Sequence, residues 1–138
     1  MRGSALDVEQ AMSMAESAAG KAYAPYSGFR VGATVVTESG EAYSGCNVEN
    51  ASYGLATCAE RNAVAAMVLA GEGSGMSRIS YVAVTSPGAS TAFPCGACRQ
   101  VLHEFGCREV FVREAGNIKG YPFDEILPNA FGPRDLRA

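Results

Sequence analysis

The chain has 138 residues, 48% of them hydrophobic and 18% charged, which is material for one buried core and too apolar for a disordered segment. Its formal charge of −3, with no lysine–arginine run, lacks the electrostatic footprint that nucleic-acid binding needs. No stretch joins a basic end to an apolar run, so neither a secretory leader nor a membrane span is expected; a single domain over residues 1–138 in the cytoplasm is the default.

In chain order, Val8, Met12, Ala15, Ala19 and Ala22 recur at three- and four-residue spacing and predict a first helix over 5–22. Pro25 ends the pattern, because the residue before a proline is steered away from helical geometry. A strand is predicted over 30–37, where Val31, Ala33 and Val35 alternate, and a second over 42–46, with Glu38-Ser39-Gly40-Glu41 as the turn of an antiparallel hairpin. Residues 47–54 carry hydrogen-bonding side chains without a period and read as a loop. A second helix is expected over 58–70, ended by Gly71-Glu72-Gly73-Ser74-Gly75. The run Ile79–Thr85 is the most apolar strand and is expected at the sheet centre. A third helix over 95–105, closed by Gly106, a strand over 109–113, a turn at Asn117, a short edge strand over 118–121 and a helical turn over 122–127 follow; the tail from Pro128 is read as too short for another element. Strands alternating with helices predict a three-layer α/β/α sandwich around a mixed five-stranded sheet, with right-handed crossovers.

Three of the five cysteines fall in Thr57-Cys58-Ala59-Glu60 and Pro94-Cys95-Gly96-Ala97-Cys98, each opening a predicted helix. A C-x-E followed downstream by P-C-x-x-C is the arrangement of a zinc-dependent base deaminase. Three thiolates, each at about 2.3 Å, leave a fourth tetrahedral position for water. Glu60, two residues after Cys58, is placed to move protons without taking a coordination position. Three thiolates also accumulate negative charge, which Arg61 or Arg99 is placed to relieve. Two other readings stay open: a redox pair at Cys95 and Cys98, or a closed structural zinc site with Cys46, Cys107 or His103 as a fourth ligand. As a helical residue five positions beyond Cys98, His103 is expected to point away, and Cys46 and Cys107 read as free structural thiols.

Beyond these motifs, Tyr26-Ser27-Gly28-Phe29-Arg30-Val31-Gly32-Ala33, Asn47-Val48-Glu49-Asn50-Ala51-Ser52-Tyr53, the two cysteine stretches and Ile126-Leu127-Pro128-Asn129-Ala130-Phe131 resemble cytidine deaminases of the small homotetrameric class, over nearly the whole chain. The resemblance implies hydrolytic deamination of cytidine and deoxycytidine to uridine and deoxyuridine, with release of ammonia, in pyrimidine salvage. It implies one zinc ion per subunit on Cys58, Cys95 and Cys98, Glu60 as proton shuttle, and Arg61 against the cysteine sulfurs. Asn47 and Glu49 would hold ribose hydroxyls, Phe29 would lie along the nucleoside, Ala59 would offer backbone contacts, and Ala51 would join the substrate-binding set. Tyr53 and Phe131 would come from neighbouring subunits, completing intersubunit active sites in a homotetramer. The expected partners are free pyrimidine nucleosides; a blasticidin-S-type or other small aminopyrimidine-nucleoside deaminase is the nearest alternative. Residues 86–93 depart from the family pattern by lacking a serine–aspartate start, which leaves that loop's conformation open.

Overall fold

The computed structural model describes residues 6–71 and 78–136. Helix α1 (Val8–Ala19) starts at the first residue of its apolar stripe, later than the predicted range of 5–22, because Asp7 caps it. The Asp7 carboxylate accepts from the Gln10 N–H at 2.8 Å, and the Gln10 side chain accepts in return from the Asp7 N–H at 2.9 Å. It also ends short of Ala22, at Gly20. Ala11, Met12, Ala15 and Ala19 are fully buried. The close approach of this alanine-rich face needs Gly32 below it, where a Cβ would lie 1.8 Å from the Ala15 carbonyl oxygen.

The strands β1 (Gly32–Thr37), β2 (Ala42–Cys46), β3 (Ile79–Thr85), β4 (Glu109–Glu114) and β5 (Asn117–Pro122) form one mixed sheet in the order β2-β1-β3-β4-β5. The β1–β2, β1–β3 and β4–β5 pairs are antiparallel, and β3–β4 is parallel. The predicted central strand is central. Every residue of β1 is buried, because both faces of the sheet are covered. Val35 joins the larger core with Val82, Val84, Val110 and Val112 beneath helices α2 (Ala59–Leu69) and α3 (Gly96–Glu104). Val36 and Ala83 face the other way, toward Ala11 and Met12 of α1. The layers are therefore helix, sheet and helices, as expected.

Several boundaries differ from expectation for local reasons. β1 begins at Gly32 rather than Arg30, since the backbone before it is held by the Asn47 side chain instead of by a strand. The β4–β5 turn falls at Ala115 and Gly116, with φ of 52° and 82°, so Asn117 is the first residue of β5 and not the turn. Residues 133–136, expected to be featureless, form a 3-10 turn after the short helix α4 (Phe123–Ile126). Ala5 and the expected stop at Glu72-Gly73-Ser74-Gly75 lie outside the described residues.

The register decides where the site is built. Gly32, at the start of β1, pairs with Cys46 at the end of β2 and with Thr85 at the end of β3. The segments entering β1, leaving β2 and leaving β3 therefore meet at one rim of the sheet. The N-termini of α2 and α3 lie there as well.

Candidate active site

Cys58 and Cys95 occupy the N-cap positions of α2 and α3, with extended backbone and no side-chain capping bond. Each helix therefore presents its unpaired first-turn N–H groups and the positive end of its dipole on the side of the sulfurs. Cys98, in the first turn of α3, is fully buried. The Cys58 and Cys95 sulfurs are 3.9 Å apart, the Cys95 and Cys98 sulfurs 3.5 Å, and all three lie within 4.8 Å of one another. Tetrahedral zinc–thiolate geometry, with bonds of about 2.3 Å, puts sulfurs roughly 3.8 Å apart, so the cluster is positioned to bind one zinc ion. Among the described residues it is the group of three donors close enough to do so.

The fourth-ligand alternatives fall away by position. Cys107 is buried, with its sulfur against the Glu109 carbonyl oxygen, and burial pushes its thiol up to about 12. The His103 ring stacks on Phe123 at 6.2 Å between centroids and 7° between planes. Cys46 lies on β2, outside the cluster. All five cysteines are free thiols.

The chemistry of the cluster is set by its neighbours. The Cys58 thiol is held down to about 5 by its hydrogen bond with Cys98 and, after that, by Arg61, whose Nη2 lies 3.5 Å from the Cys58 sulfur. The same bond, reinforced by burial, pushes the Cys98 thiol upward. Arg61 Nε is buried with no hydrogen-bond partner among the described residues, so the guanidinium keeps an unspent donor beside the sulfurs. Arg99, the other sequence candidate for this task, does not touch sulfur. Its Nε donates to the Pro94 carbonyl and its Nη1 to the Ile126 carbonyl, both at 2.7 Å. Glu60, one residue into α2, is only 4% exposed, and burial raises its carboxyl above the usual range. Its Oε1 sits 3.7 Å from the Cys98 sulfur, beside the cluster but outside the donor set.

In front of the cluster is a cavity of about 370 Å³, lined among others by Phe29, Asn47, Glu49, Cys58, Ala59 and Glu60. Asn47 braces the entry to β1: its Oδ1 accepts from the Val31 N–H and its Nδ2 donates to the Phe29 carbonyl, both at 2.8 Å. Glu49 Oε1 accepts from the Tyr26 and Ser27 N–H groups at 2.9 and 3.1 Å, and Oε2 accepts from the Ser27 hydroxyl. That hydroxyl bond, ahead of the backbone bonds, holds the Glu49 carboxyl below its ordinary value. Both polar side chains keep lone pairs or an N–H to spare after these contacts.

Three of the substrate-binding candidates lie outside the lining of this cavity. Ala51 is exposed on the loop. Tyr53 is 78% exposed on the 3-10 turn Tyr53–Leu55, edge-on to Tyr26, and Phe131 is 58% exposed at the end of the chain's last loop. The cavity also includes residues that no motif marked. Thr91, Ala92 and Phe93 form part of its wall, and the Phe93 ring packs edge-on against Tyr121 at 5.1 Å. The one available signal was position, Phe93 directly preceding Pro94-Cys95 in the chain.

The sequence profile of the cytidine and deoxycytidylate deaminase zinc-binding region matches residues 6–114. This chain belongs to that family. It is 38% identical over 134 residues to the cytidine deaminase of Sporosarcina psychrophila, covering 95% of this chain and 96% of that one. To the cytidine deaminase of Mycobacterium tuberculosis it is 42% identical over 122 residues, covering 88% and 87%. The fold superposes on the crystal structure of cytidine deaminase from Burkholderia pseudomallei with a TM-score of 0.82 and 42% identity, over 91% of this chain and all of the other. The three cysteines gathered at the sheet rim are thus positioned to bind a zinc ion in a chain whose family is described by its zinc-binding region.

Proposed function

We propose that this chain hydrolyses cytidine and deoxycytidine to uridine and deoxyuridine, releasing ammonia, as a single catalytic domain serving pyrimidine salvage in the cytoplasm. The observation that carries the reading is the three-sulfur corner with the buried, non-ligating carboxyl of Glu60 at 3.7 Å, opening on the nucleoside-sized cavity. Zinc held by Cys58, Cys95 and Cys98 would supply an activated water as nucleophile. Glu60 takes a proton from the attacking water and hands it to the pyrimidine ring nitrogen next to the reacting carbon. After the new C–O bond forms, Glu60 takes the proton that remains on the added hydroxyl and passes it to the exocyclic amine, so that the C–N bond breaks as the C=O bond forms and ammonia leaves. Burial raises the Glu60 carboxyl above the usual range, the direction that suits a group which must hold a proton as well as accept one. Arg61 offsets the charge of the thiolates.

Asn47 and Glu49 bind the sugar hydroxyls with the donor and acceptor capacity left to them. Phe29 lies along the nucleoside, Ala59 meets the pyrimidine edge through its backbone, and Ala51 joins the substrate-binding set. Tyr53 and Phe131 complete the cavity of a neighbouring copy in a homotetramer, and their exposure in the isolated chain supports that assignment. The cavity wall has an ionised Glu49 and no lysine or arginine among the described residues, which favours free nucleosides over nucleotides. Ammonia release measured with cytidine, its 5′-phosphate and blasticidin S tests this. Cytidine should be turned over far faster than the other two; preference for the antibiotic or the phosphate would overturn the substrate assignment.

A further inference from the structure

One face of α3 does something the reaction itself does not require. Arg99, Gln100 and His103 all engage the segment Phe123–Gly132. The Arg99 guanidinium spans the Pro94 and Ile126 carbonyls at 2.7 Å each. Gln100 Nε2 donates to the Phe131 carbonyl at 2.7 Å. The His103 ring stacks on Phe123, and Gly132 runs so close to it that a Cβ there would lie 2.5 Å from His103 Nε2. Between these holds the segment turns through Asn129, with φ of 54°. Two of the three side chains grip backbone oxygens, so they fix the path of the segment whatever its side chains are. The Phe131 ring itself is left 58% exposed while its backbone is pinned. Pro94, the other oxygen bridged by Arg99, directly precedes the ligand Cys95.

We propose that Arg99, Gln100 and His103 are positioning residues that lock the Phe123–Gly132 segment to the metal-ligand helix, so that Phe131 is presented rigidly to the cavity of the neighbouring subunit. This rests on the reading of Phe131 as a substrate contact made across subunits. A ring on a floating loop would pay its ordering cost each time substrate binds, whereas a pinned one has paid it on folding. The clamp therefore acts on substrate affinity in the neighbour, not on bond-making in its own subunit. It also joins the ligand turn of one subunit to the pocket of the next through a single guanidinium.

The test compares Gln100→Ala, Arg99→Lys and Phe131→Ala in the zinc-loaded tetramer. Lysine keeps the charge of Arg99 but lacks the planar fork that reaches two carbonyls. KM for cytidine should rise roughly three- to tenfold in Gln100→Ala and Arg99→Lys, the size expected for one or two lost hydrogen bonds, with kcat within about twofold of wild type. Zinc content should be unchanged, and amide hydrogen exchange should quicken over residues 127–132. Gln100→Ala should add nothing to the KM of Phe131→Ala, because the two changes remove the same contact. If Phe131→Ala raises KM while Gln100→Ala and Arg99→Lys keep wild-type KM and exchange, the clamp is wrong and the Phe131 reading stands. If Phe131→Ala is itself silent, the reading beneath the clamp is wrong and the clamp falls with it. Should Arg99→Lys fail to fold, Gln100→Ala decides alone, since Gln100 is exposed and lies outside the donor cluster.

Discussion

At the scale of single residues, Glu60 carries an asymmetry worth exploiting. It is buried beside the sulfur cluster yet lies outside the donor set, so a substitution can remove its proposed proton chemistry while leaving the three sulfurs in place. Glu60→Gln is expected to retain a full complement of zinc by atomic absorption and to lose at least about a hundredfold in kcat, the lower end of what a general acid–base group supplies. Activity within a few-fold of wild type would remove the shuttle role. Cys58, Glu60, Cys95 and Cys98 were legible in the chain because metal chemistry dictates residue type and spacing together. Arg99 was not, because its partners are the carbonyls of Pro94 and Ile126, which no pattern of side chains encodes. The hold of the Ser27 hydroxyl on Glu49 spans 22 positions and leaves no local mark in the sequence.

At the scale of elements, the position of α2 depends on a residue without a side chain. A Cβ on Gly45 of β2 would sit 2.4 Å from the Ala63 nitrogen and 2.6 Å from the Ala59 carbonyl oxygen, so the helix that carries Cys58 and Glu60 rests directly on that strand. Gly45→Ala must push α2 outward. The expected cost is about 1–3 kcal/mol of stability, typical of overpacking, with a lower melting temperature and weaker zinc retention under dialysis. An unchanged melting temperature and full zinc would show that the strand yields instead. The order of elements was readable from hydrophobic period, since β3 is rich in apolar residues and α1 repeats its alanines. Their ends were not. Caps such as Asp7–Gln10 and turns such as Ala115–Gly116 are decided by one or two hydrogen bonds or a single positive φ.

At the scale of the whole molecule, the rings of Tyr53 and Phe131 and the side chain of Leu55, 67% exposed, lie open on the isolated chain, and the proposed tetramer would cover the two rings. In solution the protein should scatter light as a particle of four times 14.3 kDa. A fully active monomer would end the roles given to Tyr53 and Phe131. Among the described residues no helix is long and apolar enough to cross a membrane. The layered fold was foreseeable because strands alternate with helices along the chain, whereas a surface proposed to meet another copy leaves no periodic trace. Cys58 and Cys95 stand 37 positions apart, on different helices. An ion shared between them is therefore also a tether, closing a loop that an unfolded chain would otherwise leave open. Counted as for a disulfide, such a closure is worth roughly 4 kcal/mol of lost unfolded-state entropy. Protein stripped by a strong chelator should consequently melt at a lower temperature, and added zinc, but not magnesium, should restore it; identical melting with and without the ion would show that the corner braces nothing.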